Sequence, residues 1–349
     1  MKIGKKIISE KNEPFIIAEM SGNHNNSIET ALKIVEAAAS AGADAIKLQT
    51  FTPEDMTLDI KDKNFKINDK KSPWYGKRLF ELYQLAHTPL EWHQRIINLS
   101  NKLGLICFSS IFNENKIKFL EKLNMPAYKI ASFENNHLPL IKSVAKTGKP
   151  IIISTGLASL KEIDEAVNSA KESGCKELGL LKCTSSYPAK IEDSNLSSIS
   201  KLKSIYDFEI GLSDHTLGIS AALAAVALGA TIIEKHLTLS RKNNSVDSSF
   251  SLEPHEFKQL VEESKNVWKS LGNDMFELTN AEERTKIFRR SIYISKNLKA
   301  GEILNETNVK IIRPNFGLHP REFKNILGKK IVKDASKGTP LSKDLLNNK

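Results

Sequence analysis

From residue 15 onward, short apolar runs alternate with longer amphipathic stretches. The runs are FIIAEM (15–20), DAIKLQT (44–50), LICFSS (105–110), AYKIAS (127–132), PIIISTG (150–156), LGLLKCTS (178–185), FEIGLSDH (208–215) and TIIEKHLTL (231–239). Their length and β-branched content predict buried strands. Between most of them apolar residues recur at spacings of three and four, as in ETALKIVEAAASAG (29–42), the period of an amphipathic helix. Several of these stretches stop at glycine, at Gly42, Gly104, Gly148, Gly174 and Gly229. Eight such repeats predict an α/β fold, a (β/α)8 TIM barrel over residues 1–272. No glycine-rich dinucleotide or Walker-type loop follows any run, which argues against an open nucleotide-binding sheet. One long connection, 51–78, breaks the rhythm and is expected over the barrel mouth.

The pattern changes after SLEPHEFKQLVEESKNVWKSLG (251–272), which reads as the eighth helix. Residues 273–288 are polar and predict a linker. Residues 289–349 carry short β-like pieces and turns: RRSIYIS, LKAGEIL, VKIIRPNFGLHP and IVKDASKGTPL. They predict a small separate domain, which alone buries little surface and is expected to dock onto something.

Composition narrows the class. With 40% hydrophobic and 26% charged residues, the chain falls among ordinary globular proteins. It has no run of about 18 apolar residues, so no membrane span is expected. The start, MKIGKKIISEKNEPF, lacks the apolar core of a signal peptide. Three cysteines without metal-type spacing suggest a reducing compartment, and the cytoplasm is the expectation. The formal net charge is +10, but the lysines are scattered among acids, as in KNFKINDKKS (63–72). With no basic stripe interleaved with aromatics, no nucleic-acid partner is expected, and a small anionic substrate suits the excess charge better.

Barrels of this class do their chemistry at the C-terminal ends of the strands, where residues i and i+2 share a side. On that count Glu19, Lys47 with Gln49, Ser109 and Ser110 turn to the mouth from strands one to three. Strand four gives Lys129, Ser132 and Glu134, and strand five Ser154. Strand six gives Lys182, Thr184 and Ser185, with Tyr187 just beyond. Strand seven gives Ser213 and His215, and strand eight Glu234 and His236. A single strand-end lysine is more often an ion-pair partner, and a single histidine a hydrogen-bonded core residue. Together they read differently. Lysines and hydroxyls from several strands form a cradle for phosphate and carboxylate. Two imidazoles on adjacent strands can hold one divalent ion with positions left for a substrate oxygen. The loop SRKNNSVDSSFSLEP (240–254) falls at the same end, and its Asp247 is either ordered around substrate or metal or simply solvated.

Seven motifs in order then carry a family likeness: IAEMSGNHN (17–25), KLQT (47–50), PAYKIASFE (126–134), KPIIISTG (149–156), LLKCTSSYPA (180–189), GLSDHTLG (211–218) and IIEKHLTLSR (232–241). They resemble the sialic acid synthase family. The tail resembles that family's C-terminal domain, which is similar to type III antifreeze protein (SAF). EMSGNHN, SFE (132–134), LLKCTSSYPA with Lys182 and Ser185, and FRRSIY (288–293) are closer to the pseudaminic acid branch than to the N-acetylneuraminate branch. Ile111 stands where the family usually has proline, and a small local backbone change is expected there.

The resemblance implies condensation of phosphoenolpyruvate with an open-chain N-acetylated amino sugar, releasing phosphate and a nine-carbon 2-keto acid. It implies that His215 and His236 bind Mn²⁺, or Mg²⁺ or Co²⁺. Lys47, Ser110, Lys129, Ser132, Ser154, Ser185 and Ser213 would bind phosphoenolpyruvate, and Glu134 would stabilise the cationic carbon or activate water. Glu19, Gln49, Tyr187 and Asp247 would orient the sugar or its forming hydroxyl. Arg313 would reach the sugar from the partner of a domain-swapped homodimer. Phe133 is a candidate contact for a deoxygenated C6. Three rivals remain: from the residues, a Schiff-base aldolase using a mouth lysine; within the resembled family, a neuraminate or legionaminate synthase; and, from the tail alone, a non-catalytic sugar- or ice-binding protein.

Overall fold

All eight apolar runs form strands, and the strands close on themselves in sequence order. They are β1 (Phe15–Glu19), β2 (Ala45–Thr50), β3 (Ile106–Ile111), β4 (Tyr128–Ile130), β5 (Ile151–Ser154), β6 (Leu178–Cys183), β7 (Glu209–Asp214) and β8 (Ile232–His236). Every neighbouring pair is parallel, and β8 returns to β1 with His236 opposite Glu19. This computed structural model describes residues 1–272 and 276–346. The chain divides into two units, Met1–Gly272 and Asn273–Lys349.

Helices cover the barrel because their apolar stripes match its outer face. In Ile28–Ser40 the stripe is Ala31, Ile34, Val35 and Ala38, all buried, and Ser27 caps the helix by accepting from the Thr30 N–H at 3.2 Å. A two-stranded hairpin, Lys2–Ile3 with Lys6–Ile7, precedes the barrel and puts Ile3 and Ile8 into the same core. Strands of two residues carry no readable period, so the sequence pattern gave no hint of it. Ile111 does not disturb β3. It extends the strand by pairing with Thr50 and is fully buried.

The second unit has its own small core, including Ile292, Ile294, Leu304, Val309, Ile331 and Leu341. It includes an antiparallel pair, β9 (Ser291–Ile294) with β10 (Val309–Ile312). Part of the stretch 273–288, expected as a linker, is helical over Asn280–Thr285; residues 273–275 lie outside the described residues. A capping box explains the helix: Thr279 accepts from the Glu282 N–H at 3.2 Å, and Glu282 accepts from the Thr279 N–H at 2.8 Å. Among the described residues, no helix is long and apolar enough to cross a membrane.

Candidate active site

Strand register decides which side chains enter the mouth. Lateral partners point the same way, so the pairs Glu19–Lys47, Gln49–Ser110, Ser110–Lys129, Cys183–Ser213 and Ser213–Glu234 trace one inward-facing band. They line a cavity of about 490 Å³ together with Ser132, Glu134, Ser154, Tyr187, His215, His236 and Asp247. Thus most of the strand-end residues expected at the mouth are brought together there.

Three are not. Lys182 pairs laterally with Leu212 and faces outward, where Nζ donates to the Cys183 carbonyl and the Thr184 hydroxyl, both at 3.0 Å. Thr184 lies with it, donating to the Asp193 carbonyl at 3.2 Å. Ser109 also faces outward, 2.6 Å from the Thr50 hydroxyl, which in turn meets His93 Nε2 at 2.8 Å. The expectation erred by one residue of register on β6, and Cys183 is the side chain that enters the mouth. Ser185 leaves the strand, and its hydroxyl turns back toward the mouth, 3.9 Å from Cys183 Sγ.

Gly156 makes room for that hydroxyl. A Cβ on Gly156 would lie 2.2 Å from Ser185 Oγ and 2.6 Å from Ser132 Oγ, so only glycine lets the two serines converge. The Gly156 N–H donates to Ser132 Oγ at 3.2 Å, and Asn135 Nδ2 donates to the Gly156 carbonyl at 2.9 Å. This turn, beside Lys129 and Ser154, is a cradle of hydroxyls and one ammonium. Lys129 Nζ donates to Ser154 Oγ at 2.5 Å and to the Ile130 carbonyl at 3.1 Å.

The floor is a buried ion cluster. Lys47 pairs with Glu19, lies 3.4 Å from Glu234 and donates to Ser110 at 2.9 Å. Glu19 also accepts from the Ser21 N–H at 2.8 Å and from Gln49 Nε2 at 3.2 Å. Ser21 Oγ donates to Asp247, which anchors the loop after β8 to the turn after β1. Ser21 had no signal in the sequence beyond its place in the EMSGNHN motif.

Burial governs the charges. It raises Glu19 to about 7, with Lys47 pulling the other way and Glu234 adding to the rise. Burial likewise raises Glu134 to about 7, offset in part by Lys129. It pulls Lys129 below the usual lysine range despite the attraction of Glu234. For Lys47 burial opposes the charge, but Glu19 and Glu234 outweigh it and the pKa rises. Five carboxylates (Glu19, Asp69, Glu134, Glu234 and Asp247) and two ammonium groups line this mouth, and the raised Glu19 and Glu134 can take or give a proton near pH 7 as an anion enters.

His215 and His236 stand side by side with ring centroids 5.3 Å apart. A carbonyl can only accept, so the 3.0 Å contact between His215 Nδ1 and the Thr184 carbonyl puts a proton on Nδ1 and makes Nε2 the nitrogen that could ligate a metal. His236 Nδ1 is buried with no hydrogen-bond partner among the described residues. Burial, then the neighbouring His215 and Lys47, holds His236 well below the ordinary range, so the ring is neutral. At His215 burial opposes the charge, but the Cys183 thiol and the Thr184 carbonyl outweigh it and the pKa rises, so an ion bound there would displace a proton from the ring. Two adjacent imidazoles can hold a divalent ion in this way. Among the described residues no group of three or more His, Cys, Asp or Glu is arranged as a metal site, so further positions would fall to substrate oxygens or water.

Behind the pair, on the outer face of the same two strands, Lys235 donates to Asp214 and to the Thr216 carbonyl, both at 2.5 Å. Both side chains are essentially fully buried.

The connection 51–78 reaches the mouth as expected. Met56, Ile67, Asp69, Ser72 and Trp74 line the cavity, and the Trp74 indole N–H donates to the Val246 carbonyl at 2.8 Å. Phe133 sits on the lining with its ring more than half exposed and stacked 6.4 Å from Tyr187. Arg313 belongs to the second unit, where it is exposed.

Residues 34–275 match the NeuB family, and residues 289–347 match the SAF domain. A pseudaminic acid synthase of Campylobacter jejuni is 46% identical over 94% of this chain and 95% of its own. An N,N'-diacetyllegionaminic acid synthase, also of Campylobacter jejuni, is 36% identical over 91% of this chain and 96% of its own. Among solved structures, the N-acetylneuraminic acid synthetase of Leptospira borgpetersenii, in complex with citrate, is 34% identical. It covers 82% of this chain and 94% of its own, with a TM-score of 0.73.

Proposed function

The chain belongs to the NeuB family, and on that premise we propose that it catalyses the pseudaminic acid synthase reaction. Phosphoenolpyruvate condenses with 2,4-diacetamido-2,4,6-trideoxy-altrose to give the nine-carbon nonulosonic acid and phosphate. C3 of phosphoenolpyruvate bonds to the aldehyde carbon, and the aldehyde oxygen takes a proton. Water adds at C2, and the C2–O bond to phosphate breaks. The observation that carries the choice of sugar is the higher identity to the pseudaminic than to the legionaminic relative.

A divalent ion held by His215 and His236, Mn²⁺ or else Mg²⁺ or Co²⁺, would polarise the aldehyde oxygen. The remaining roles fall to the chain's own groups. Lys129, Ser132, Ser154, Ser185 and Ser213 hold phosphate and carboxylate, with Lys47 and Ser110 beside them. Glu134, close to neutrality in both protonation states, takes the proton of the water that adds at C2. Its Oε2 is buried and unpartnered among the described residues, which leaves it open to that water. Glu19, Gln49, Tyr187 and Asp247 orient the sugar. A Schiff-base aldolase would leave the histidine pair idle, and a non-catalytic sugar binder would leave the whole ion cluster without purpose.

The test is phosphate release from phosphoenolpyruvate with Mn²⁺, offering the trideoxy sugar and N-acetylmannosamine in parallel. Turnover confined to the first is the expected result; preference for the second overturns the choice of sugar, and release with neither overturns the reaction.

A domain-swapped homodimer is part of the same proposal, with Arg313 of one protomer serving the mouth of the other. Mixing an Arg313→Ala protein with a Glu134→Gln protein is expected to restore activity above either parent. No recovery in verified heterodimers counts against the swap. The cytoplasm is the proposed compartment, supported by three buried, unbridged cysteines, Cys107, Cys175 and Cys183.

A further inference from the structure

The mouth has two unlike sides. Strand ends make one side ionic, as described. The other is largely apolar and is built from residues 51–86 with Phe112: Met56, Ile67, Leu79 and Tyr83 line it beside Asp69 and Ser72, with Phe51 edge-on to both Tyr83 and Phe112. Met56, Ile67, Leu79, Tyr83 and Phe112 are half-buried, Ile67 within a stretch, 58–71, that is otherwise exposed apart from Phe65. Side chains of that kind facing a cavity mark a surface that is covered when the cavity is filled.

The position of this apolar side constrains what fills it. Phe51 directly follows β2 and Phe112 directly follows β3, while His215 directly follows β7 and His236 ends β8; in the closed ring β3 stands opposite β7, and β2 is separated from β8 by β1. Ile67, Leu79 and both histidines line the same cavity, so a substrate with its aldehyde at the histidine pair has room to direct its far end toward Ile67 and Leu79. In the proposed sugar that far end is a methyl group, C6 having no hydroxyl, and C4 carries an acetamido group with a second methyl. In N-acetylmannosamine the same end is a hydroxymethyl group beside a free hydroxyl.

We infer that the apolar chamber formed by Met56, Ile67, Leu79, Tyr83 and Phe112 seats the methyl end of the sugar and selects the 6-deoxy substrate. The inference rests on the proposed reaction and names the groups that set its specificity. It moves that role away from Phe133, whose ring stacks on Tyr187 at the rim. Backbone hydrogen bonds fix the chamber wall: the Ile67 N–H donates to the Lys77 carbonyl at 3.0 Å, and the Gly76 N–H returns to the Ile67 carbonyl at 2.9 Å.

Ile67→Asn and Leu79→Ser put a polar group in the chamber at half-buried loop and helix-start positions. The experiment compares kcat/KM for the trideoxy sugar and for its 6-hydroxy analogue, with the KM of phosphoenolpyruvate as a control. A methyl-sized contact in an apolar pocket is worth roughly 10- to 200-fold. The expected result is a fall in the 6-deoxy to 6-hydroxy preference of at least about 10-fold, with the phosphoenolpyruvate KM unmoved. An unchanged preference overturns the inference, whether the two sugars fall in parallel or not at all. If the unaltered protein turns over neither sugar, saturation-transfer NMR on the trideoxy sugar with Mn²⁺ separates the two questions. Methyl signals present in the unaltered protein and lost in Ile67→Asn uphold the chamber while the reaction falls; their absence overturns the chamber as well.

Discussion

His236→Ala is expected to reduce condensation by about three orders of magnitude or more, the effect of losing several kcal/mol of stabilisation at the developing alkoxide. The same substitution is expected to leave the fold in place. The ring is neutral, and its Nδ1 bonds to nothing among the described residues, so alanine removes packing but strands no partner and no charge. The measurements are phosphate release, Mn²⁺ binding by calorimetry, and thermal unfolding on one preparation. Adding a chelator to the unaltered protein should bring it down to the level of the variant. A His236→Ala protein that kept near-normal turnover in chelated buffer would remove the histidine pair from the reaction altogether.

Lys47→Met should act in the opposite way, on stability before chemistry. Lys47 is the buried counter-charge of both Glu19 and Glu234. Breaking such a cluster costs about 3–5 kcal/mol because the carboxylates stay behind unpaired, and in a domain of this size that is roughly 10 °C of melting temperature. The loss should depend on pH. Glu19 is already raised from 4.5 to about 7 with Lys47 present, and Lys47 is a lowering influence, so its removal pushes Glu19 higher. A carboxyl whose folded pKa exceeds its unfolded one contributes stability below the unfolded value and loses it as pH climbs through the folded value. The deficit should therefore be smallest near pH 5 and grow through pH 8. Equal melting temperatures for variant and parent, or a deficit that shrinks with rising pH, would contradict the buried-cluster account.

The barrel was legible because its strands are continuous apolar runs and its helices keep a strict period. Strand-end chemistry was legible wherever one polar residue stood on each inward step, as at Glu19, Lys47, Lys129, Ser213 and His236. It was not legible on β6, where Lys182, Cys183, Thr184 and Ser185 run consecutively and alternation alone cannot fix the parity. Only the pairing of Cys183 with Ser213 does so. Glu134 was placed at the mouth as the end of strand four, but it sits on a one-turn helix after β4, which strand alternation could not foresee. The apolar chamber was out of reach for a different reason. Its residues are scattered over a short helix (Met56), an irregular stretch (Ile67), the helix Leu79–Ala86 and the residue after β3 (Phe112), and tertiary contacts such as the Ile67–Lys77 backbone pairing bring them together, with no one repeating pattern.

The outer pair of Asp214 and Lys235 has a consequence for anyone recombining relatives of this protein. Each residue immediately precedes one of the two histidines, and the pair ties β7 to β8 from behind. A crossover placed between residues 216 and 231 takes the two histidines of the mouth from different parents. Where the parents differ at either 214 or 235, the hybrid inherits a lone charge walled into the barrel. Such a chimera fails as a folded protein before its chemistry can be asked about, so β7 and β8 are best exchanged as a single cassette.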